Sequence, residues 1–140
     1  MTTPMALDTG TRSDLIRRGD RLLAPMCLTV AEHLVRLKFG RLVAGVRHAK
    51  RTCRRPATTI EAARITAAVH HAARHRAGRV ACLEYSLAAM LLAILRRRSL
   101  DWCIGARLMP YASHTWVETD NRPVGEPDTR DRPYHVLLRV

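Results

Sequence analysis

A thiol, an imidazole and several carboxylates follow one another along the last 60 residues of this 140-residue chain, in an order that nucleophilic catalysis can use. Cys82 lies where a helix is expected to begin, since Leu83, Leu87, Met90, Leu91, Ile94 and Leu95 recur at the three-and-four spacing of one buried face. The unpaired N–H groups and positive dipole end of such a terminus stabilise a thiolate, the form of cysteine that attacks carbonyls. A free cysteine is by default a small buried hydrophobe. Cys27, inside an apolar helix, and Cys103, inside an apolar strand, fit that default, and Cys53 stays with them because no base is in view. No C-x-x-C pair exists to nucleate a zinc site.

His114 opens the strand HTWVETD, where it can serve as general base toward a thiol if a carboxylate holds its ring. Glu118 and Asp120 share its strand face by parity, but Glu118 is ~13 Å away along an extended strand. The sequence Asp120-Asn121-Arg122-Pro123 is a good turn, so the chain can return beside His114. A hairpin centred on Asp120 faces His114 with residue 126, and one centred on Asn121 faces it with residue 128. Glu126 and Asp128 are both carboxylates, and spacing does not choose between them. Pro123 and Pro127 lack N–H donors, so this return strand belongs at a sheet edge or breaks there. Trp116 shares the face of His114, either walling a site or serving as a core aromatic. His71 and His75 have the i, i+4 spacing of paired metal ligands. However, HAARH lacks the glutamate of H-E-x-x-H and no further ligand is evident, so solvated helix residues are the better reading and neither metal nor cofactor is expected.

The elements that must hold these groups read as helices first and sheet last, hence α+β. Residues 1–12 read as a loose tail. Residues 13–78 form a basic helical region: Ser13 caps a short helix stopping at Pro25, and Leu28–Arg55 is helical with a possible break at Gly40. The capping box Thr58-Thr59-Ile60-Glu61 then opens a helix reaching about Arg76 and closed by Gly78. Residues 79–140 hold the Cys-His-acid core, packed as one unit with the helices. Its helix from Cys82 ends in Arg96, Arg97 and Arg98, cations suited to the negative dipole end. Short β-rich segments follow at Trp102–Met109, His114–Thr119, Pro123–Glu126 and Tyr134–Val140.

With 24 basic against 12 acidic residues the net charge is +12, which by itself suggests nucleic acid or another anionic partner. The charge is lopsided: residues 1–80 carry 16 basic and 5 acidic groups, and residues 81–140 carry 8 and 7. No nucleic-acid-binding motif accompanies it, and aromatics for base stacking are 4% of the chain. Nucleic acid is therefore disfavoured, and a protein-docking surface including Arg54, Arg55, Arg74 and Arg76 fits better. No apolar run approaches the ~18 residues of a membrane span and no signal peptide is visible, so the expectation is a bacterial cytoplasmic protein with reduced thiols.

The stretch ACLEYSLAAMLLAILRRRSLDWCIGARLMPYASHTWVETDNRPVGEP resembles the core of the lasso-peptide leader peptidases, bacterial cysteine proteases of the transglutaminase-like, papain-related fold. The resemblance rests on Cys82 before a leucine-rich helix ending in arginines, the H-x-W-V-E strand, and the 32-residue separation of Cys82 from His114. It implies that Cys82 is the nucleophile, His114 the base, and the carboxylate twelve residues after it, Glu126, the orienter, with Asp128 or Asp120 as alternatives. Many members have aspartate at the Glu126 position, and alanine is usual where this chain has Thr115. The resemblance further implies a precursor leader as substrate and a separate recognition protein of the RiPP recognition element type. An asparagine synthetase-like cyclase would then close the macrolactam. The other readings are a transglutaminase-like acyltransferase or amide hydrolase, and a non-enzymatic basic protein that binds nucleic acid.

Overall fold

The computed structural model describes residues 16–108, 111–125 and 134–140. Helix α1 (Arg18–Leu34) continues through Pro25, where the sequence predicted a stop. The lost backbone bond is outweighed by burial, since Ala24, Cys27, Leu28 and Ala31 are all nearly inaccessible to solvent. The Pro25 carbonyl also accepts from Thr29 Oγ1 (3.1 Å) and Arg76 Nη2 (2.6 Å). The break falls instead at residues 35–38, where Leu37 N–H bonds back to the Leu34 carbonyl in a tight turn. Helix α2 (Phe39–Lys50) then carries Gly40 in its first turn and ends well short of Arg55. Its last residue is tied to the sheet, because Lys50 Nζ donates to Asp101 Oδ1 (2.7 Å) and to the Val140 carbonyl (3.1 Å).

Strand β1 (Arg55–Pro56) precedes α3 (Thr59–Arg74). The expected capping box is present, with Thr58 Oγ1 accepting from Glu61 N–H (3.2 Å) and Glu61 Oε1 accepting from Thr58 N–H (3.2 Å). Gly78, at φ +88°, lies beyond the helix end. Glu61 does more than cap. Arg55 Nη1 (2.7 Å) and Arg98 Nε (2.8 Å) both donate to it, clamping β1 to its parallel partner β2 (Arg98–Ser99). Burial pushes the Glu61 carboxyl up, but these donors outweigh it and hold the group at about 2. A depressed carboxylate stabilises the fold fully above the unfolded glutamate range and loses that contribution as pH falls through the folded value. Glu61→Gln should therefore cost about 1–2 kcal/mol at neutral pH and flatten the stability profile between pH ~4.5 and ~2. Thermal melts across that range check this, and an unchanged acid limb would sink it.

Helix α4 (Cys82–Leu95) is the centre of the molecule. A single buried face was expected; instead Leu87, Ala88, Ala89, Met90, Leu92 and Ala93 are all fully buried. Consecutive burial means cover on every side: α1 and α3 pack on it from one direction, and the sheet from another. Leu95, assigned to the buried face by periodicity, is 60% exposed. The arginine run does not extend the helix. Arg96 is the C-cap, Arg97 turns the chain at φ 56°, and Arg98 starts β2.

The four-stranded antiparallel sheet has the order β5-β4-β3-β6, with β3 (Asp101–Leu108), β4 (Tyr111–Thr119), β5 (Arg122–Pro123) and β6 (His135–Arg139). The α+β expectation holds, and Pro123 lies in the edge strand as its missing donor requires. The β4–β5 turn differs from both expected registers. Asp120 and Asn121, at φ 54° and 59°, form a two-residue loop that pairs Thr119 with Arg122 and Glu118 with Pro123. The hairpin is centred between residues 120 and 121 rather than on either.

Candidate active site

Ala81 is extended and Cys82 is the first residue of α4, exposed to solvent. Glu84, in the same turn, reaches back to accept from Ala81 N–H (3.3 Å), which fixes the helix entry. The sulfur meets β4 at its outer edge. Strand β5 pairs with Glu118 and Thr119. Farther along that edge, Thr115 offers Cys82 both its backbone N–H and its hydroxyl, while His114 offers its ring. Residues 114 and 115 face opposite sides of the sheet, and a sulfur at the edge can touch both. Burial pushes the Cys82 thiol up, but the Thr115 donors, the His114 hydrogen bond and the imidazole charge outweigh it and bring it below an ordinary thiol. The other cysteines go the opposite way. Burial and then Asp20 push Cys27 up to about 11, burial and then Glu118 push Cys103 up to about 12, and burial raises Cys53.

His114 is packed from the far side of the sheet. Trp116 stacks on it with ring centroids 5.8 Å apart at 18°, and Tyr134 lies 5.4 Å away. Trp116 is itself fixed, because its Nε1 donates to Glu118 Oε1 (2.9 Å), and Glu118 also accepts from Arg139. Gly105 lies opposite His114 in the β3–β4 register. A Cβ there would fall 2.6 Å from Trp116 Cη2 and 2.7 Å from the His135 carbonyl, so glycine is what lets the tryptophan lie flat behind the histidine.

The site opens into a cleft of about 620 Å³ walled by His70, Arg79, Tyr85 and Gly125 beside Cys82 and His114. His70 Nε2 lies 3.2 Å from the Gly125 carbonyl and its ring is 4.2 Å from that of Tyr85, whose hydroxyl donates to the Thr66 carbonyl (3.0 Å). These contacts bring α3, α4 and the segment after β5 together around the sulfur.

Of the residues singled out from the sequence, Cys82, His114 and Trp116 come together. Asp120 does not: it sits at the exposed turn tip, six residues and roughly 20 Å of strand from His114. Glu126 and Asp128 lie outside the described residues. Sequence reasoning noted Thr115 only as a departure from alanine, without a role, and passed over His70. Parity could have found the first, since a threonine alternating with Val117 on the helix-facing side of β4 is polar where an apolar residue is expected. His71 and His75 pair edge-on at 4.7 Å, and among the described residues no group of three or more metal-ligating side chains forms.

A family model described as the transglutaminase-like superfamily matches residues 26–139. The chain belongs to that superfamily. Members generally work as cysteine-protease-like enzymes, acting as hydrolases or acyl-transferring catalysts. The match begins within α1, so the superfamily relationship takes in the basic helices as well as the last 60 residues. No curated protein and no solved structure matches the chain. No helix among the described residues is long and apolar enough to cross a membrane.

Proposed function

We propose that this member of the transglutaminase-like superfamily is a cysteine peptidase that removes the leader from a lasso-peptide precursor, freeing the core amino terminus for macrolactam formation. The observation that carries the enzymatic part is an exposed helix-terminal thiol held below its ordinary value by donors that include His114. The choice of substrate rests on the resemblance of residues 81–127 to the leader peptidases.

The Cys82 sulfur attacks the scissile carbonyl while His114 takes the thiol proton. The oxyanion accepts from the N–H of Cys82 at the helix start. His114 then passes its proton to the leaving amine as the C–N bond breaks, and a thioester remains. Water attacks the thioester, giving a proton to His114, and the C–S bond breaks to release the carboxylate and restore the thiol. Glu126 is the proposed orienter of His114, with Asp128 the alternative.

The helical half is proposed to dock the recognition protein, the leader or the cyclase. Arg55 and Arg76 are poor probes of that surface, because Arg55 pairs with Glu61 and Arg76 bridges α1 through Glu32 (3.1 Å) and Thr29 (2.7 Å). Arg54 and Arg74, both exposed, are better places for charge reversal.

The test incubates the chain with a leader-bearing precursor and its recognition protein and follows intact mass. Two products summing to precursor plus one water are expected, and prior alkylation of Cys82 with iodoacetamide should abolish them. Cleavage that survives complete alkylation, or a precursor left intact, overturns the proposal. An amine adduct in place of the water product favours acyl transfer on another substrate.

A further inference from the structure

Behind the nucleophile lies a line of buried polar groups that neither the helix nor the sheet needs. Trp102 Nε1 donates to Ser86 Oγ (3.0 Å), and Ser86 Oγ lies 3.1 Å from both Thr115 Oγ1 and the Leu83 carbonyl. Thr115 in turn lines the same cleft as Cys82, beside His114, and its hydroxyl is among the groups that lower the Cys82 thiol. Trp102 is fully buried, Ser86 is 2% exposed and Thr115 is 8% exposed, so the Trp102–Ser86–Thr115 links are shielded from solvent, while the sulfur end opens on the cleft.

Donor arithmetic gives the line a direction. An indole N–H is donor only, so Ser86 always receives from Trp102 and its one proton must go outward, to Leu83 or to Thr115. When the sulfur carries a proton, Thr115 can donate to Ser86 and Ser86 to the Leu83 carbonyl. When the sulfur is a thiolate, both hydroxyls can rotate, Ser86 donating to Thr115 and Thr115 to the sulfur. No group is stranded in either state, and the second aims a chain of three donors at the negative charge.

We propose that Thr115 is a positioning residue whose hydroxyl, backed by Ser86 and Trp102, rotates to donate to Cys82 when the sulfur is a thiolate and so stabilises the nucleophilic form. This deepens the reading of Cys82 as nucleophile and rests on it for its purpose, but the proton relay itself is independent of what the enzyme cleaves. The other titratable or charged groups around the sulfur are His114 from β4, His70 from α3, Arg79 from the loop before α4, and Tyr85 and Glu84 on its own helix. Thr115 adds a donor without adding charge, and the one other neutral hydroxyl among these groups, that of Tyr85, donates to the Thr66 carbonyl.

The experiment measures the iodoacetamide alkylation rate of Cys82 against pH by peptide mass spectrometry on the full chain, with no precursor present. Thr115→Val keeps the shape and orphans nothing, since the Ser86 proton can still go to Leu83. Its alkylation midpoint should rise by about one pH unit, the scale of one lost hydrogen bond to a charged group. Thr115→Ser should keep the wild-type midpoint, and Ser86→Ala should give a smaller rise. Should Thr115→Val not fold, Thr115→Ala, which adds no bulk, is read instead. A midpoint unchanged in the hydroxyl-less variant, or shifted equally in Thr115→Ser, overturns the proposal. Failure to cleave a precursor, with these shifts intact, would count against the proposed substrate and not against the relay.

Discussion

His114→Ala is expected to slow leader cleavage by roughly 10²–10⁴ at neutral pH, the usual worth of a positioned general base, while Cys82→Ala brings it to background. The two losses differ in a way pH reveals. Removing the imidazole takes away a hydrogen bond and a charge that hold the Cys82 thiol below its ordinary value. The thiolate of His114→Ala therefore forms at higher pH, and its residual cleavage should climb as pH is raised past 8, toward the range of an unassisted thiol. Cys82→Ala has nothing to deprotonate and should stay flat. Time courses at several pH values, read by intact mass, separate these outcomes. Cys82 is exposed and His114 half-buried, so neither truncation should move the melting temperature by much. A His114→Ala profile parallel to wild type would show that the imidazole is a packing partner of Trp116 and Tyr134 rather than a base.

The cysteine and the histidine were legible because each carries a local signal. Cys82 precedes a run of apolar residues at helical spacing, and His114 adjoins a run of β-formers, though β4 begins at Tyr111 and places it inside the strand rather than at its head. Their meeting was not legible from spacing, since it depends on how far β5 pairs along β4. The turn at Asp120-Asn121 shows the limit: both residues tolerate positive φ, and the sequence does not distinguish a two-residue loop from a three-residue one. That single step in register decides which residue would face His114. Thr115 was noted as a departure from alanine but given no role, for a different reason. Its proposed role depends on a serine on α4 and a tryptophan on β3, and of that tertiary hydrogen-bond line the local sequence shows only a polar residue on the helix-facing side of β4.

Among the helices, local rules failed where burial competed with them. Pro25 should end a helix on backbone grounds, yet the apolar stripe Ala24, Cys27, Leu28 and Ala31 carries α1 through it. Periodicity gave α4 one buried face because it presumes solvent on the other, whereas α1, α3 and the sheet bury Ala88, Ala89, Leu92 and Ala93 outside that face and leave Leu91, Ile94 and Leu95 less covered. The arginines at 96–98 suited a helix end electrostatically, but two of them serve instead as ties, Arg96 to α1 and Arg98 to Glu61. Among the described residues, Asp20, Glu32, Glu61, Asp101 and Glu118 are all held in internal ion pairs.

Arg96→Ala should be the most destabilising single change on the exposed side of these ties. Asp20, in the first turn of α1, is 2% exposed, and its carboxylate accepts from Arg96 Nε at 2.8 Å and from Arg96 Nη2 as well. Truncating the arginine leaves that carboxylate buried without its counter-ion, a loss of about 3–5 kcal/mol for such pairs. The α1 dipole offsets a part of this, since Asp20 sits at its positive end. For a domain of this size the loss corresponds to a drop of roughly 10–20 °C in melting temperature. Arg96→Lys should lose less, keeping the charge but not the fork that serves two bonds. Asp20→Asn removes the charge that would be stranded, so the double variant Asp20→Asn/Arg96→Ala should be more stable than the sum of the single losses predicts. Thermal melts of the four proteins form the cycle, and strict additivity would mean that the pair is not coupled. The candidate active site lies at the other end of α4, about 20 Å along the helix axis. The alkylation profile of Cys82 should therefore be unchanged in whatever fraction of Arg96→Ala remains folded, and a shift in it would mean that the α1 tie sets the position of the helix start as well as its stability.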